Sequence, residues 1–155
     1  MGEKTMDLIS FLKESLRIEG ITRDPTPAEL LVTEQFLQLR CITLPAVVNL
    51  VNVYAPGARL RDVIGLNVMV GNHVPPRGGP HIRMHLEDLL NDIRFKKHTP
   101  YSAHVAYETL HAFSDGNGRS GRAVWAWMML RAGSDIPLGF LHQWYYQSLD
   151  NGRKL

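Results

Sequence analysis

One cysteine, Cys41, stands in the whole chain of 155 residues. That excludes an internal disulfide framework and a cysteine-rich zinc site, and it fits a reducing compartment. An excess of charge of one sign is also missing, since 17 Lys and Arg face 15 Asp and Glu for a formal net charge of +2. Nucleic-acid binders usually show a strong basic patch or stripe, so charge gives no reason to expect a nucleic-acid partner. Long apolar runs are absent too. Met1 to Ser10 carries Glu3 and Asp7, which reads as neither a secretory signal nor a membrane span, so the chain is expected to be cytoplasmic with no membrane partner. No solenoid-period repeat, low-complexity run or dividing linker breaks the chain. Hydrophobic residues make up 45% and charged residues 21%, which argues against a disordered or fibrous protein. At this length one core is enough, and residues 1–155 read as a single domain burying roughly 70% of its unfolded surface.

Proline and glycine punctuate helices. Thr26-Pro27-Ala28-Glu29 pairs a capping threonine with proline at the first helical position and a glutamate that closes a capping box, so a helix starts there and runs to about Arg40. Leu30, Leu31, Phe36 and Leu37 mark its apolar positions. Thr43-Leu44-Pro45 opens another through Tyr54, ended by Pro56-Gly57. Val63, Ile64, Val68, Met69 and Val70 are β-rich and flank Gly65-Leu66-Asn67, which predicts a short hairpin turning at 65–67 that must lie against helices. After the breaker-rich 74–80, Ile82, Leu86, Leu89, Leu90 and Ile93 give an amphipathic helix from His81 to Phe95. Thr99-Pro100 opens a segment from Tyr101 to Phe113, and further helices are predicted over 117–130 and 137–149. The sum is an all-α helical bundle with one short hairpin.

The densest polar cluster runs from His111 to Arg122: His111-Ala112-Phe113-Ser114-Asp115-Gly116-Asn117-Gly118-Arg119-Ser120-Gly121-Arg122. Two glycines let backbone N–H groups converge, and a helix beginning there adds its positive dipole end, which makes an anion site suited to phosphate. Arg119 and Arg122 stand three apart on one helix face, placed to clamp further phosphates. Asp115 is a hard oxygen ligand for Mg²⁺, and His111 takes a proton near neutral pH. Residues 116–121 also satisfy G-x-G-x-x-G, but the preceding residues read as helix rather than strand, so the dinucleotide reading is rejected; the Gly-Lys-Ser/Thr ending of a Walker A loop is absent as well.

This stretch resembles the Fic domain family, whose motif His-x-Phe-x-Asp/Glu-Gly-Asn-Gly-Arg-x-x-Arg is met at every fixed position from His111 to Arg122. Ala112 stands where many members have Pro. The resemblance extends to Ala103-His104, to Tyr107-Glu108-Thr109-Leu110, and to Arg61-Asp62 and Gly71-Asn72, around a hairpin similar to the family's target-positioning flap. It implies a Fic fold with a core over about 26–150, and adenylylation: AMP moves from ATP to a Tyr, Ser or Thr hydroxyl of a target protein or of the chain itself, and pyrophosphate leaves. By that resemblance His111 is the general base, Asp115 holds Mg²⁺, Gly116, Asn117 and Gly118 cradle the α- and β-phosphates, Arg119 supports them and Arg122 binds the γ-phosphate. The phosphate-transferring Doc-like branch has Lys where this chain has Gly118, which favours AMP transfer. Two alternatives stay open: a non-catalytic nucleotide-binding regulator, and a Fic enzyme that moves another nucleotide or phosphate or removes AMP. Homo-oligomerisation is equally open.

Ser15-Leu16-Arg17-Ile18-Glu19-Gly20 resembles the family's inhibitory motif, Ser/Thr-x-x-x-Glu-Gly/Asn, placed before the core on a helix over about 5–20. A carboxylate at a helix C-terminus faces the negative dipole end, so Glu19 calls for a cationic partner; the resemblance makes that partner Arg122. Tyr145-Tyr146 resembles an adenine-flanking pair, with structural aromatics as the even alternative. His73, His81 and His85 lack an acidic or cysteine companion and read as surface or flap histidines, and His104 as a packed histidine with a hydrogen-bond partner. Trp125, Trp127, Met128 and Met129 read as core, and Arg94, Lys96 and Lys97 as a solvated run.

Overall fold

A computed structural model of the chain describes residues 2–133. Among the described residues lie six helices: α1 (Gly2–Ile18), α2 (Pro27–Leu37), α3 (Leu44–Tyr54), α4 (Pro80–Arg94), α5 (Pro100–Leu110) and α6 (Asn117–Arg131). The fold is all-α. The helix expected over 137–149 lies outside the described residues. None of the described helices is long and apolar enough to cross a membrane.

Threonine caps set three of the helix starts. Thr26 Oγ1 accepts from the Glu29 N–H and Glu29 Oε1 accepts from the Thr26 N–H at 2.8 Å, a complete capping box. Thr99 closes a capping box with Ser102 at the start of α5, and Thr43 Oγ1 caps α3 by accepting from the Ala46 N–H, each followed within two residues by a proline. The end of α1 is equally local in origin. Gly20 takes φ +75, its N–H donates to the Arg17 carbonyl, and the Ile21 N–H donates to the Leu16 carbonyl. Those two bonds are a Schellman closure with glycine at the left-handed position.

One predicted end is too long. α2 stops at Leu37 rather than near Arg40, and α6 takes the carbonyls at and just beyond that end: Arg131 Nη2 donates to the Leu37 and Leu39 carbonyls and Trp127 Nε1 to that of Leu39. α5 ends at Leu110, where the helical spacing of Ala103, Ala106, Tyr107 and Leu110 ends, and His111 adopts a left-handed conformation (φ 50, ψ 59) that turns the chain away. The inward face of α2 also differs from expectation. Leu31 is exposed while Glu29 and Thr33 are buried with Val32, Phe36 and Leu37. Glu29 accepts both Arg23 nitrogens, at 2.8 and 3.0 Å, as well as the Thr26 N–H, which satisfies the buried carboxylate.

α6 is the central element. It packs against α1, α2, α3 and α5, while α4 lies against α3 and α5. Its buried residues, from Asn117 through Met128, point in most directions around the helix, as expected where no face meets solvent broadly. Trp127 and Met128 join the core as expected, with Trp125 partly buried against it. On α4 the five apolar positions read from the sequence are the five buried ones.

The hairpin contracts to a single bridge. Val70 and His73 exchange both backbone hydrogen bonds, at 3.0 and 2.9 Å, around Gly71-Asn72, where Gly71 has φ +57. The tight turn therefore falls at 71–72 instead of 65–67. The stretch Leu66 to Met69 runs without ladder pairing, because Leu66 and Asn67 are committed elsewhere: the Leu66 carbonyl accepts from Arg61 and Asn67 Oδ1 from the Gly78 N–H.

Candidate active site

The site is built where α5 turns into α6. The His111 N–H still donates to the Tyr107 carbonyl, and the next residues cross beside the segment leaving α3. There the Arg61 N–H donates to the Ala112 carbonyl and the Ser114 N–H to that of Arg59, both at 2.8 Å, with Leu60 and Phe113 bridged between them. Asn117 closes the loop from inside. Its Oδ1 accepts from the Phe113 N–H at 2.9 Å and its Nδ2 donates to the Phe113 carbonyl at 2.7 Å. The Asn117 side chain is thus a loop clasp, and what it offers toward an anion is backbone. Gly116 takes φ +78, a left-handed conformation that favours glycine, and a Cβ there would press on Ala55 just past α3.

α6 opens without a side-chain cap, unlike the threonine-capped helices before it. Its first-turn N–H groups and dipole end therefore face the loop as an anion-binding surface. Ser120 fixes that turn from behind: its hydroxyl donates to the Gly116 carbonyl at 2.7 Å and pairs with the Tyr107 phenol, also at 2.7 Å. Burial pushes the Tyr107 phenol far above its ordinary value, so it stays protonated and keeps that bond.

Among the predicted site residues, the structure brings Ser15, Glu19, Gly118 and Arg122 together. Arg122 is fully buried; its Nε donates to Ser15 Oγ at 2.7 Å, and its Nη2 donates to the Ser15 carbonyl at 2.9 Å and to Glu19 Oε1 at 2.8 Å. A Cβ on Gly118 would collide with Glu19 Oε1, so the carboxylate lies directly against the first turn of α6. Glu19 has left the negative end of α1 for the positive end of α6. Gly20 contributes through the Schellman closure that aims Glu19 there.

Arg119 is less available than its position suggests. It is nearly buried, with Nη1 on the Tyr54 carbonyl and Nη2 3.9 Å from Asp115 Oδ1. Its Nε is buried with no hydrogen-bond partner among the described residues. Asp115 is exposed; Oδ1 accepts from the Gly116 N–H at 2.7 Å, leaving the other oxygen outward. No group of three or more His, Cys, Asp or Glu that could hold a metal occurs among the described residues. Asp115 is a hard oxygen donor of the kind that Mg²⁺ accepts beside phosphate oxygens and water. Tyr145 and Tyr146 lie outside the described residues.

His104 is the packed histidine expected, with Nδ1 3.0 Å from the Gly121 carbonyl. Three positions carry more than sequence reasoning gave them. Glu108 is a buried carboxylate that a Cβ on Gly121 would strike. His73 Nε2 lies 2.9 Å from the Thr109 carbonyl, tying the loop after α3 to the last turn of α5. Arg61, named above only for its resemblance, is fully buried. No periodicity signals a buried arginine in a loop.

Fold and site define a helical domain whose central helix opens, without a side-chain cap, on a glycine turn that a histidine, a carboxylate and two arginines flank in sequence. Residues 45–129, more than half of the chain, match the Fic/DOC family, and the protein belongs to that family. No curated protein matches it.

Proposed function

We propose that this Fic/DOC protein is a protein adenylyltransferase held inactive by its own Glu19. The observation that carries the reading is the Glu19 carboxylate seated on the α6 turn and bonded to Arg122, an internal anion on the cation assigned to the γ-phosphate. The uncapped turn at 116–118 and the bare Arg119 Nε suit the phosphates of ATP. Asp115 would hold Mg²⁺, which would supply charge that neutralises the phosphates. His111 accepts the proton of a Tyr, Ser or Thr hydroxyl on the target protein. That oxygen forms a bond to the α-phosphorus while the bond to the β-phosphate bridging oxygen breaks, and pyrophosphate leaves. The residues contribute position and fixed charge, which dominate catalysis of this type. While Arg122 is bonded to Glu19, the γ-phosphate has no guanidinium to meet and the α-phosphate is wrongly presented. Target and enzyme would meet in the cytoplasm, consistent with the lone Cys41.

The test is label transfer from α-³²P-ATP to protein in a lysate with Mg²⁺. Glu19→Gly is expected to label protein, while wild type and Glu19→Gly with His111→Ala do not. Silence of Glu19→Gly with ATP binding intact would favour a nucleotide-binding regulator or another donor, the latter decided by substituting UTP, GTP or CTP.

A further inference from the structure

Arg61 makes six hydrogen bonds across three segments. Nε donates to the His111 carbonyl at 2.7 Å and Nη2 to that of Leu110 at 2.9 Å, both at the C-terminus of α5. Nη1 donates to the carbonyls of Leu66 at 3.1 Å and Pro76 at 2.9 Å, on the two arms of the loop between α3 and α4. Its backbone N–H donates to the Ala112 carbonyl and its carbonyl accepts from the Gly79 N–H at the start of α4. The acceptors of this buried guanidinium are all carbonyls.

Burying a cation without a carboxylate is costly, and burial lowers its pKa. A helix C-terminus compensates in part, since its last carbonyls carry the negative dipole end. The planar fork explains why arginine is used: one edge serves the turn that carries His111 and the remaining nitrogen serves the loop, which a lysine point charge cannot do together. His111 is one of two non-glycine residues with positive φ among the described residues, a conformation that persists where surroundings over-determine it.

We infer that Arg61 is a positioning residue that locks the proposed target-holding loop to the turn carrying the proposed general base, so that the two move as one unit. The inference rests on the adenylyltransferase reading. The anion-binding turn is held by separate bonds, Asn117 to Phe113, Arg119 to Tyr54 and Arg122 to Ser15. Two of these, Arg119 to Tyr54 and Arg122 to Ser15, lie outside the segment that Arg61 holds, so nucleotide binding is expected to survive a change of the Arg61 side chain.

The experiment compares Glu19→Gly with Glu19→Gly plus Arg61→Lys. In label transfer to a lysate at fixed concentration, the apparent kcat is expected to fall about 10- to 100-fold, the scale of a misplaced reacting group, with KM for ATP unchanged. Hydrogen exchange is expected to rise together over residues 62–79 and 109–114. A folded variant with unaltered kcat, a KM for ATP rising in the same proportion, or exchange rising in one segment alone would overturn the inference. Should Glu19→Gly itself transfer nothing, the adenylyltransferase reading fails while exchange still decides the coupling. If Arg61→Lys does not fold, Asn67→Ala replaces it, since it frees the loop from Gly78 without touching Arg61. A rise reaching 109–114 supports the coupling, and one confined to 62–79 refutes it.

Discussion

Replacing Glu19 should separate ATP from ADP. In the structure one carboxylate oxygen sits 2.8 Å from Arg122 Nη2, with Arg122 fully buried and Glu19 31% exposed. A hydrogen bond to a charged group contributes about 1.5–3 kcal/mol, and the partial exposure of Glu19 argues for the lower half of that range. Because 1.4 kcal/mol is tenfold, Glu19→Gly should tighten binding of a nucleotide that needs Arg122 by about 10- to 30-fold. ADP lacks the γ-phosphate and should gain far less. Glu19→Gln keeps a side-chain acceptor but loses the charge, and should fall between. Isothermal titration of each variant with Mg-ATP and Mg-ADP measures the ratio directly. If ATP and ADP tighten equally, Glu19 blocks the site by bulk and not by competing for Arg122. If neither changes, the pairing with Arg122 has no bearing on nucleotide binding and the inhibitory reading loses its physical basis.

Gly121→Ala should destabilise the domain by about 1–3 kcal/mol, because the new Cβ meets the buried Glu108 carboxylate and the Tyr107 ring between α5 and α6; urea unfolding would show it, and an unchanged midpoint would mean the helix pair yields. Ser15→Ala removes the Nε acceptor of Arg122 and should cost about 1–3 kcal/mol in the same assay while weakening the hold on Glu19. For Glu29, burial is the largest influence and raises its pKa, but the Arg23 bond, the Thr26 N–H and the Arg23 charge together bring it below the usual carboxylate value. Its contribution is therefore complete above the ordinary carboxylate range and lost as pH falls through the lowered value. Thermal melts from pH 7 to 3 should show a steeper decline for wild type than for Glu29→Gln, and parallel curves would contradict this.

Local chemistry was legible in the residues. The threonine caps, the Schellman glycine and the five apolar positions of α4 each act within one or two turns, so spacing alone reveals them. Ends that meet other helices were not. The Leu37 carbonyl that ends α2 and the Leu39 carbonyl just beyond it belong to Arg131 and Trp127, some ninety residues away. The hairpin turn was misplaced for the same reason, since Leu66 and Asn67 are held by Arg61 and Gly78 rather than by a strand partner. At the site, the motif fixed which residues gather on the α6 turn but not which way their side chains face. Asn117 turns inward to clasp Phe113, and Arg119 reaches back to Tyr54.

The seat of Glu19 also constrains how inhibition would be relieved. Leu8, Phe11, Leu12 and Ile18 of α1 are buried in the common core, and Leu16 is buried beside them in the sequence. Each is worth about 1.5–3 kcal/mol, so lifting α1 off the domain would cost on the order of 10 kcal/mol, comparable to the stability of a whole domain. Breaking the Glu19–Arg122 bond alone costs about 1.5–3 kcal/mol. Rotation of the Glu19 side chain with α1 in place is therefore the cheaper route by a wide margin. The Ser15 contacts support it, because they keep the buried Arg122 guanidinium in position when Glu19 leaves. Under the proposed inhibition α1 would then serve as a fixed wall of the site in both states, and the switch would reside in one carboxylate at the end of it.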